Sequence, residues 1–208
     1  YNEAGHPAWY LASAPEQSGN VWVAQLTRYT NDGTEQQGTP VGYVSVTLLA
    51  EEDSVFSFVL FGENGSDREF PSFGPSCPTV DGSQISYSGH WARAITGLGG
   101  ATVVMNESTE GHLHYIYDDM GNPAWLLGAG GTDNIPGSQE LPITQWSGFC
   151  AVCSGPEPTQ ETVGTLSREF ADEENMTWNL NYVLNAPLNG SVNRSDDTRQ
   201  LTLTQACQ

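Results

Sequence analysis

The chain has 208 residues and is strongly acidic, with 25 Asp and Glu residues against 6 basic ones and a net charge of −19. All six basic residues are arginines, so no lysine is present to form a Schiff base, to act as a general base or to make an isopeptide crosslink. Such a surface repels nucleic acid and anionic membranes, which excludes both as expected partners. An apolar content of 38% is enough for β-rich cores and argues against wholesale disorder.

The composition also indicates where the protein works. No run of apolar residues is long enough for a membrane-spanning helix, and no signal peptide is visible. Residue 1 lies inside a repeated motif, so we expect the natural chain to be processed or to extend further. Four cysteines in an acidic, glycine-rich chain favour a secreted, oxidising environment, and reduced cytosolic thiols are the alternative.

A motif that occurs twice predicts a β-hairpin in each half of the chain. Residues 1–11 and 117–127 share the pattern Tyr-x-x-x-Gly-x-Pro-Ala-Trp-x-Leu. Glycine allows a positive φ angle and proline fixes its own φ, so Gly-x-Pro is typical of a turn. We therefore predict that one strand ends at the Tyr and that the next begins at Ala-Trp.

The remaining segments predict an antiparallel meander of short strands on either side of a connection. Alternating apolar and polar residues separated by polar turns are typical of a sandwich or barrel. The first half has predicted strands at residues 9–12, 20–29, 41–49, 55–61 and 68–70. The second half has them at residues 88–95, 101–105, 112–117, 125–129, about 140–146, 163–169, 176–184 and 199–205. Residues 77–87 are interpreted as a linker between domains 1–76 and 88–208.

Further matches between the halves keep the same order, which favours a duplication with loop insertions. The matched pairs are Val41-Gly42 with Val163-Gly164, Ala50-Glu51-Glu52 with Ala171-Asp172-Glu173, Asn64-Gly65-Ser66 with Asn189-Gly190-Ser191, and Cys77 with Cys207. Residues 88–116 have no counterpart in the first half, so we predict that the first repeat lacks its opening strands. Three explanations stay open: the strands belong to a longer protein, the repeats share one sheet, or a neighbouring subunit supplies them.

The repeated motif, followed by the Val-Gly-x-x-Ser strands at Val41 and Val163 and a Gly-Ser turn, resembles a β-rich repeat of uncharacterised secreted bacterial proteins. Residues Ser88-Gly89-His90-Trp91 are similar to the Ser-Gly-x-Trp opening of that repeat. The resemblance implies an accessory module, sometimes found beside proteases, and it carries over no catalytic residue. The same entry strand resembles the start of avidin and lipocalin barrels in shape only.

Several residues are candidates for binding. His112 and His114 lie two apart on one strand face, as in some metal sites, and exposed strand histidines opposite a core face of Leu113, Tyr115 and Tyr117 are the alternative. The aromatic residues Trp9, Tyr10 and Trp125 are candidates for stacking on a sugar, against an alternative role in core packing.

The cysteines and acidic clusters give further hypotheses. We favour disulfides Cys150–Cys153 and Cys77–Cys207, and a crossed set that ties residues 150–153 to the two repeat ends is the alternative. The acidic clusters could bind Ca²⁺ but lack the spacing of a dedicated loop, so solvated turns are the alternative and no cofactor is expected. These clusters are Glu51-Glu52-Asp53, Asp118-Asp119 and Asp172-Glu173-Glu174.

The sequence thus predicts an all-β, two-repeat, extracellular protein without enzymatic activity. The leading hypothesis is a structural or adhesive module that self-associates, or binds a cell-surface partner, through its incomplete first repeat. The alternative is a carbohydrate-binding module that uses exposed Trp and Tyr side chains. A secreted hydrolase accessory domain is a second alternative, because a carboxylate pair that converges in space is invisible in sequence.

Overall fold

The computed structural model describes residues 8–13, 19–50, 53–60, 63–69, 77–93, 99–148 and 158–203. All regular secondary structure in these residues is β-strand, and this confirms the all-β prediction. Among them there is accordingly no apolar helix that could cross a membrane.

The first five strands form one antiparallel sheet in chain order, with β1 and β5 at its edges. They are β1 (Leu11–Ala12), β2 (Val21–Asn31), β3 (Gln36–Ala50), β4 (Asp53–Leu60) and β5 (Glu63–Glu69). Within the described residues no strand pairs with the outer side of β5. The sheet is therefore open.

The segment predicted as a linker, residues 77–87, packs against the second half of the chain. It contains a small hairpin of β6 (Thr79–Val80) and β7 (Ser83–Gln84). Cys77 and Tyr87 are buried, and the Tyr87 ring stacks on Phe170 with ring centroids 4.1 Å apart. These contacts tie the segment to one end of the following domain.

Eight further strands close into an antiparallel barrel in which each strand pairs with the next and the last pairs with the first. They are β8 (Gly89–Arg93), β9 (Gly100–Met105), β10 (Thr109–Tyr117), β11 (Pro123–Gly131), β12 (Gln139–Ser147), β13 (Thr159–Phe170), β14 (Asn175–Val183) and β15 (Ser191–Leu203). The seam is the pairing of β15 with β8. Closure leaves no free edge in this sheet.

Alternate residues of each barrel strand fill the interior, as the period of a β-strand requires. Met176, Trp178, Leu180 and Tyr182 of β14 are all buried, which agrees with the strict alternation of that segment. Trp91, Val103 and Leu126 from β8, β9 and β11 contribute to the same core.

The open sheet and the barrel share the register of their strand pairs. Leu11 of β1 pairs with Thr27, and Leu127 of β11 pairs with Thr144. In both sheets a β-bulge lies between this threonine and the residue before it, at Leu26/Thr27 and at Ile143/Thr144. Strands β1–β5 therefore align with β11–β15, and the described residues of the first half contain no strands that correspond to β8–β10.

A pair of glycines shows how close this correspondence is. Gly42 pairs with Leu60, and Gly164 pairs with Tyr182. A Cβ atom at Gly42 would lie 1.8 Å from the Val59 carbonyl oxygen, and one at Gly164 would lie 2.0 Å from the Asn181 oxygen. Both positions require glycine for the same reason, because the neighbouring backbone occupies the place of the side chain.

The predicted match of Asn64-Gly65-Ser66 with Asn189-Gly190-Ser191 is wrong. Residues 64–66 lie inside β5, where Gly65 pairs with Phe58, whereas Gly190 lies in the connection before β15 with a φ of 144°. The connection from β4 to β5 is shorter than that from β14 to β15, so these similar tripeptides fall at different registers.

Backbone and side-chain contacts join the sheet to the barrel. The Asn31 amide donates to the Gly121 carbonyl oxygen over 3.0 Å, and a Cβ at Gly121 would lie 1.8 Å from the Asn31 oxygen. Gly121 is the motif glycine of the second hairpin, and its φ of 77° suits the predicted turn. Glycine at this position therefore allows both the turn and the close approach of the Asn31 backbone.

Candidate functional site

The predicted orientation of β10 is wrong, because its histidines point into the barrel. His112 and His114 are buried, with exposed fractions of 0% and 2%, whereas Tyr115 and Tyr117 lie on the outer surface. The reason is a partner for the first imidazole: His112 Nε2 lies 2.9 Å from a carboxylate oxygen of Glu110, which is also buried.

Glu110 and Arg168 form a buried ion pair at the centre of this polar cluster. The Arg168 Nε and Nη2 atoms donate to the two carboxylate oxygens of Glu110, the first over 2.8 Å. The three remaining guanidinium donors bind the carbonyl oxygens of Asn134 and Gly137 and the side-chain oxygen of Gln139. Every donor of this buried cation is thereby satisfied, as its burial requires.

The pKa of Glu110 reflects two opposing effects. Burial raises it, but the hydrogen bonds from His112 and Arg168 outweigh burial and hold the pKa below its usual value. Glu110 is therefore ionised and fully engaged, which suits a structural anchor. A general acid needs the opposite, a carboxyl group whose pKa is raised.

His114 lies beside this cluster and is neutral. Burial, together with the nearby charges of His112 and Arg194, lowers the pKa of His114 to about 3. Its ring contacts the Trp178 ring edge-on, with centroids 4.9 Å apart. The two histidines do not gather a metal-ligand set in the described part of the chain, which holds no group of three His, Cys, Asp or Glu side chains suited to an ion.

The acidic clusters, weighed as Ca²⁺ ligands against solvated turns, act as turn caps where they are described. One Asp118 oxygen accepts the backbone N–H groups of Met120 and Asn122, over 2.9 and 2.8 Å. Asp172 accepts the N–H groups of Glu174 and Asn175 in the same way, and these bonds lower its pKa. The side chains of the cluster at residues 51–53 lie outside the described ones.

The predicted disulfides fall largely outside the described residues. Cys77 is buried and disulfide-bonded. Cys150, Cys153 and Cys207 are not described, so the pairing stays a prediction.

An aromatic groove of about 460 Å³ runs between the open sheet and the outer wall of the barrel. We define it by the residues that carry its chemistry, which are Trp9, Tyr10, Tyr29, His90, Tyr115 and Tyr117. No charged side chain lies among its described lining residues. This volume falls within the range of ordinary small-molecule sites.

Trp9 holds one wall of the aromatic groove in place. Its indole N–H donates to the Ile116 carbonyl oxygen over 3.1 Å, and its ring stacks on Tyr29 with centroids 6.1 Å apart. Its edge meets Tyr115 and Tyr117 at 6.0 and 5.4 Å. Trp9 thus packs against neighbouring rings and also lines the groove, and its role in stacking on a sugar stays a prediction.

Polar groups are interspersed with these rings. The Thr102 hydroxyl lies 2.9 Å from His90 Nδ1 and 2.7 Å from the Tyr115 hydroxyl. Across the groove the Gln36 amide donates to the Tyr117 hydroxyl over 2.7 Å. Burial raises the pKa of Tyr117, so its hydroxyl stays protonated at neutral pH. The groove therefore offers aromatic faces beside hydrogen-bonding groups.

The structure separates the three aromatic residues predicted as a binding platform. Trp9 and Tyr10 line the aromatic groove, whereas Trp125 lies on β11 next to Tyr115 and outside the described lining. Sequence reasoning missed Tyr29, His90, Tyr115 and Tyr117, which come from β2, β8 and β10. The duplicated Trp-containing motif is the signal that points to one wall, and nothing in the sequence places the facing strands.

The second pocket lies at the end of the barrel where β10 finishes, and we call it the arginine pocket. Arg93, Arg194, Tyr115, Tyr117 and Tyr182 line it, and its volume is about 230 Å³. Both arginines contact Asp196, through N–O distances of 2.8 and 2.6 Å. No sequence motif singles out these residues.

The described architecture is thus an eight-stranded up-and-down β-barrel with a five-stranded open sheet attached, and two pockets lie along their junction. Comparisons with protein-family models, curated proteins and solved structures found no match. The function of the chain is therefore inferred from this geometry.

Proposed function

We propose that the chain is a non-enzymatic, extracellular structural module that self-associates through the open sheet. The observation that carries this proposal is the shared register of β1–β5 with β11–β15. In the barrel, β15 pairs along its outer side with β8, whereas the corresponding strand β5 lies at an edge of the described sheet. An unpaired edge presents backbone N–H and C=O groups that readily accept another strand.

The inner face of the open sheet supports the same proposal. Trp22, Val46, Phe56 and Phe58 lie on the face that corresponds to the barrel interior, and all four are only partly buried. In the barrel, side chains of β8 and β9 such as Trp91 and Val103 complete the corresponding core. An added sheet would bury this apolar surface at about 25 cal/mol per Å².

The partner proposed for this edge is a second copy of the chain. Antiparallel pairing of β5 with β5 of a second copy is self-complementary, as closed two-fold assemblies require. A pair centred on Ser66 sets the two Ser66 residues opposite each other. Because the chain carries a net charge of −19, association should strengthen as salt screens the repulsion between copies.

Sedimentation equilibrium at moderate salt tests this proposal. The wild-type chain should form dimers or larger species, and Ser66→Lys should yield monomers because like charges face each other across the new strand pair. Ser66→Thr is the matched control and should associate like the wild type. A wild-type chain that stays monomeric at high concentration would contradict the proposal.

The aromatic groove favours a second candidate function, the binding of a neutral glycan. Sugar rings stack on aromatic faces while their hydroxyl groups exchange hydrogen bonds with polar side chains, and Trp9, Tyr115 and His90 supply both. On a glycan array, His90→Ala should weaken any binding by about tenfold, the cost of one or two polar contacts. Trp125→Phe, outside the groove, is the control, and a protein that binds no glycan would remove this candidate.

A further inference from the structure

The arginine pocket concentrates positive charge in a chain that has little of it. Only six basic residues occur among 208, and Arg93 and Arg194 both line this one pocket. They come from β8 and β15, which meet at the seam that closes the barrel. The convergence is therefore a product of the fold rather than of neighbouring sequence.

Asp196 holds the two guanidinium groups in position through their Nε atoms only. Arg93 Nε and Arg194 Nε each contact a different oxygen of Asp196, at 2.8 and 2.6 Å. Asp196 also accepts the indole N–H of Trp178 over 3.1 Å, so its carboxylate is fully engaged. Among the described residues no hydrogen bond occupies the terminal Nη groups of either arginine, and these groups remain available to a ligand.

The charge balance at this site is positive. Two guanidinium groups share one carboxylate, and the described pocket lining contains no acidic side chain. Burial raises the pKa of Tyr182 to about 12, so this residue adds a neutral hydroxyl and an aromatic face. Gly99 leaves space beside Arg194, because a Cβ atom there would lie 3.9 Å from Nη2.

We propose that the arginine pocket binds a carboxylate group carried on a small ring. A planar carboxylate matches the fork of N–H donors that a guanidinium presents, and such charge-assisted bonds are stronger than neutral ones. Tyr115, Tyr117 and Tyr182 also line the pocket and supply the surface for the rest of the ligand. The end of a β-barrel is a common place for such a site.

The acidic surface does not prevent this binding, and it adds selectivity. At an ionic strength of about 0.1 M, charges more than about 10 Å away are largely screened, so the contacts within the pocket dominate. The repulsion that remains from nearer acidic groups grows with each further negative charge on the ligand. A single carboxylate is therefore the favoured charge state of the ligand.

Two sources of this chemistry, an aromatic acid and an acidic sugar, can be separated by calorimetric titration. Benzoate and glucuronate are the probes, and benzamide and methyl glucoside are their uncharged counterparts. At least one carboxylate should bind about tenfold more tightly than its uncharged counterpart. The better probe identifies the source, and equal binding of charged and uncharged probes, or no binding of either carboxylate, would overturn the proposal.

Arginine variants link the binding to the pocket. Arg194→Gln should weaken carboxylate binding about tenfold or more, since it removes donors to a charged group. Arg199→Gln is the matched control with the same change in charge, because Arg199 is exposed and 3.8 Å from Glu174 on the outer surface. Equal affinities of these two variants would refute the assignment.

A second variant guards against a folding defect. Arg93→Gln leaves Asp196 bound by Arg194 and Trp178, so near-ultraviolet circular dichroism should report an intact barrel. This variant should also bind the carboxylate about tenfold more weakly. A folded Arg93→Gln protein that binds the carboxylate with wild-type affinity would contradict the proposal, as would equal affinities of Arg194→Gln and Arg199→Gln.

Discussion

The barrel and the open sheet contain the same run of five strands but bury their inner faces to different degrees. Leu180 of the barrel has an exposed fraction of 2%, whereas Phe58, its counterpart by register, is only partly buried. Near the middle of the sheet the difference disappears, since Val44 is buried like its counterpart Leu166. Strands β8–β10 therefore decide whether the outer parts of this meander are shielded from water.

Closure also changes which residues the interior can hold. Arg168 occupies the barrel position that Val46 occupies in the open sheet, as the pairing with β14 and β4 shows. In the barrel the charge is balanced by Glu110 from β10, a strand with no described counterpart in the first half. The open sheet has no such partner at this position, and its residue there is apolar.

The largest expected effect contrasts these two positions. Arg168→Met leaves Glu110 as a buried charge without its counterion and should lower the free energy of unfolding by about 3–5 kcal/mol. Val46→Ala, in the partly exposed face of the sheet, should cost about 1 kcal/mol. Urea unfolding measures both. Adding Glu110→Gln to Arg168→Met should recover most of the loss, and equal effects at 168 and 46 would erase the contrast.

The paired glycines give the next largest effect. Gly164→Ala places a methyl group against the Asn181 carbonyl oxygen in a closed sheet and should cost about 3 kcal/mol. Gly42→Ala meets Val59 in the same way, but the open sheet can shift its edge, so we expect about half that cost. Denaturant unfolding followed by tryptophan fluorescence checks the ratio. A larger loss at Gly42 would mean that the open sheet is the more rigid of the two.

Acid should destabilise the barrel through His114. Its pKa is about 3 in the folded barrel and about 6.5 when unfolded, so the unfolded state alone takes up a proton between these values. The contribution of His114 to stability is complete above about pH 6.5. The free energy of unfolding should therefore fall by about 2 kcal/mol between about pH 7.5 and about pH 5. Unfolding midpoints at the two pH values measure this slope.

Two substitutions separate this effect from general acid sensitivity. His114→Phe should remove most of the slope, whereas His90→Phe, at an exposed position, should retain it. Glu110, whose pKa is lowered, adds its own loss of stability only at more acidic pH, below the ordinary value of a glutamate. An unchanged slope in His114→Phe would assign the acid sensitivity to other groups.

The smallest expected effect concerns the joint between sheet and barrel. Trp9→Phe keeps an aromatic ring but removes the hydrogen bond to the Ile116 carbonyl oxygen, at a cost of about 1 kcal/mol. Calorimetry should then show the sheet and the barrel unfolding less cooperatively. Trp146→Phe is the control, because it removes a bond to Thr144 within one barrel strand. A similar loss of cooperativity in both would argue against a joint role for Trp9.

Much of the fold follows from the sequence where each strand has one apolar face. The alternation of Met176 to Tyr182 and the Gly121 hairpin are read correctly because solvent and core are cleanly separated there. Strand β10 misleads because its outer face, at Tyr115 and Tyr117, is covered by the open sheet and is therefore aromatic. The inward face of β10 carries Glu110, His112 and His114, so the face that looks polar is the buried one, and alternation alone predicts the opposite orientation.

Strands whose inward residues are polar are difficult to predict from sequence, and so are the sites that they carry. Strand β15 begins at Ser191, earlier than predicted, because its inward residues include Arg194, Asp196 and Thr198 rather than apolar side chains. The same polar strand carries half of the arginine pocket, whose other half comes from β8. In sequence these polar residues resemble a solvated turn, because their partners, such as Arg93, come from a distant strand that pairs with β15 only at the seam.

That seam has a consequence for biosynthesis. Residues 89–93 hydrogen-bond with residues 198–203, so a nascent chain cannot complete the barrel until its last strand has left the ribosome. The hairpins of β2–β5 connect near neighbours and can form while translation continues, since local contacts form fastest. The open sheet can therefore form before the barrel closes, and the barrel strands then complete their pairing beside it.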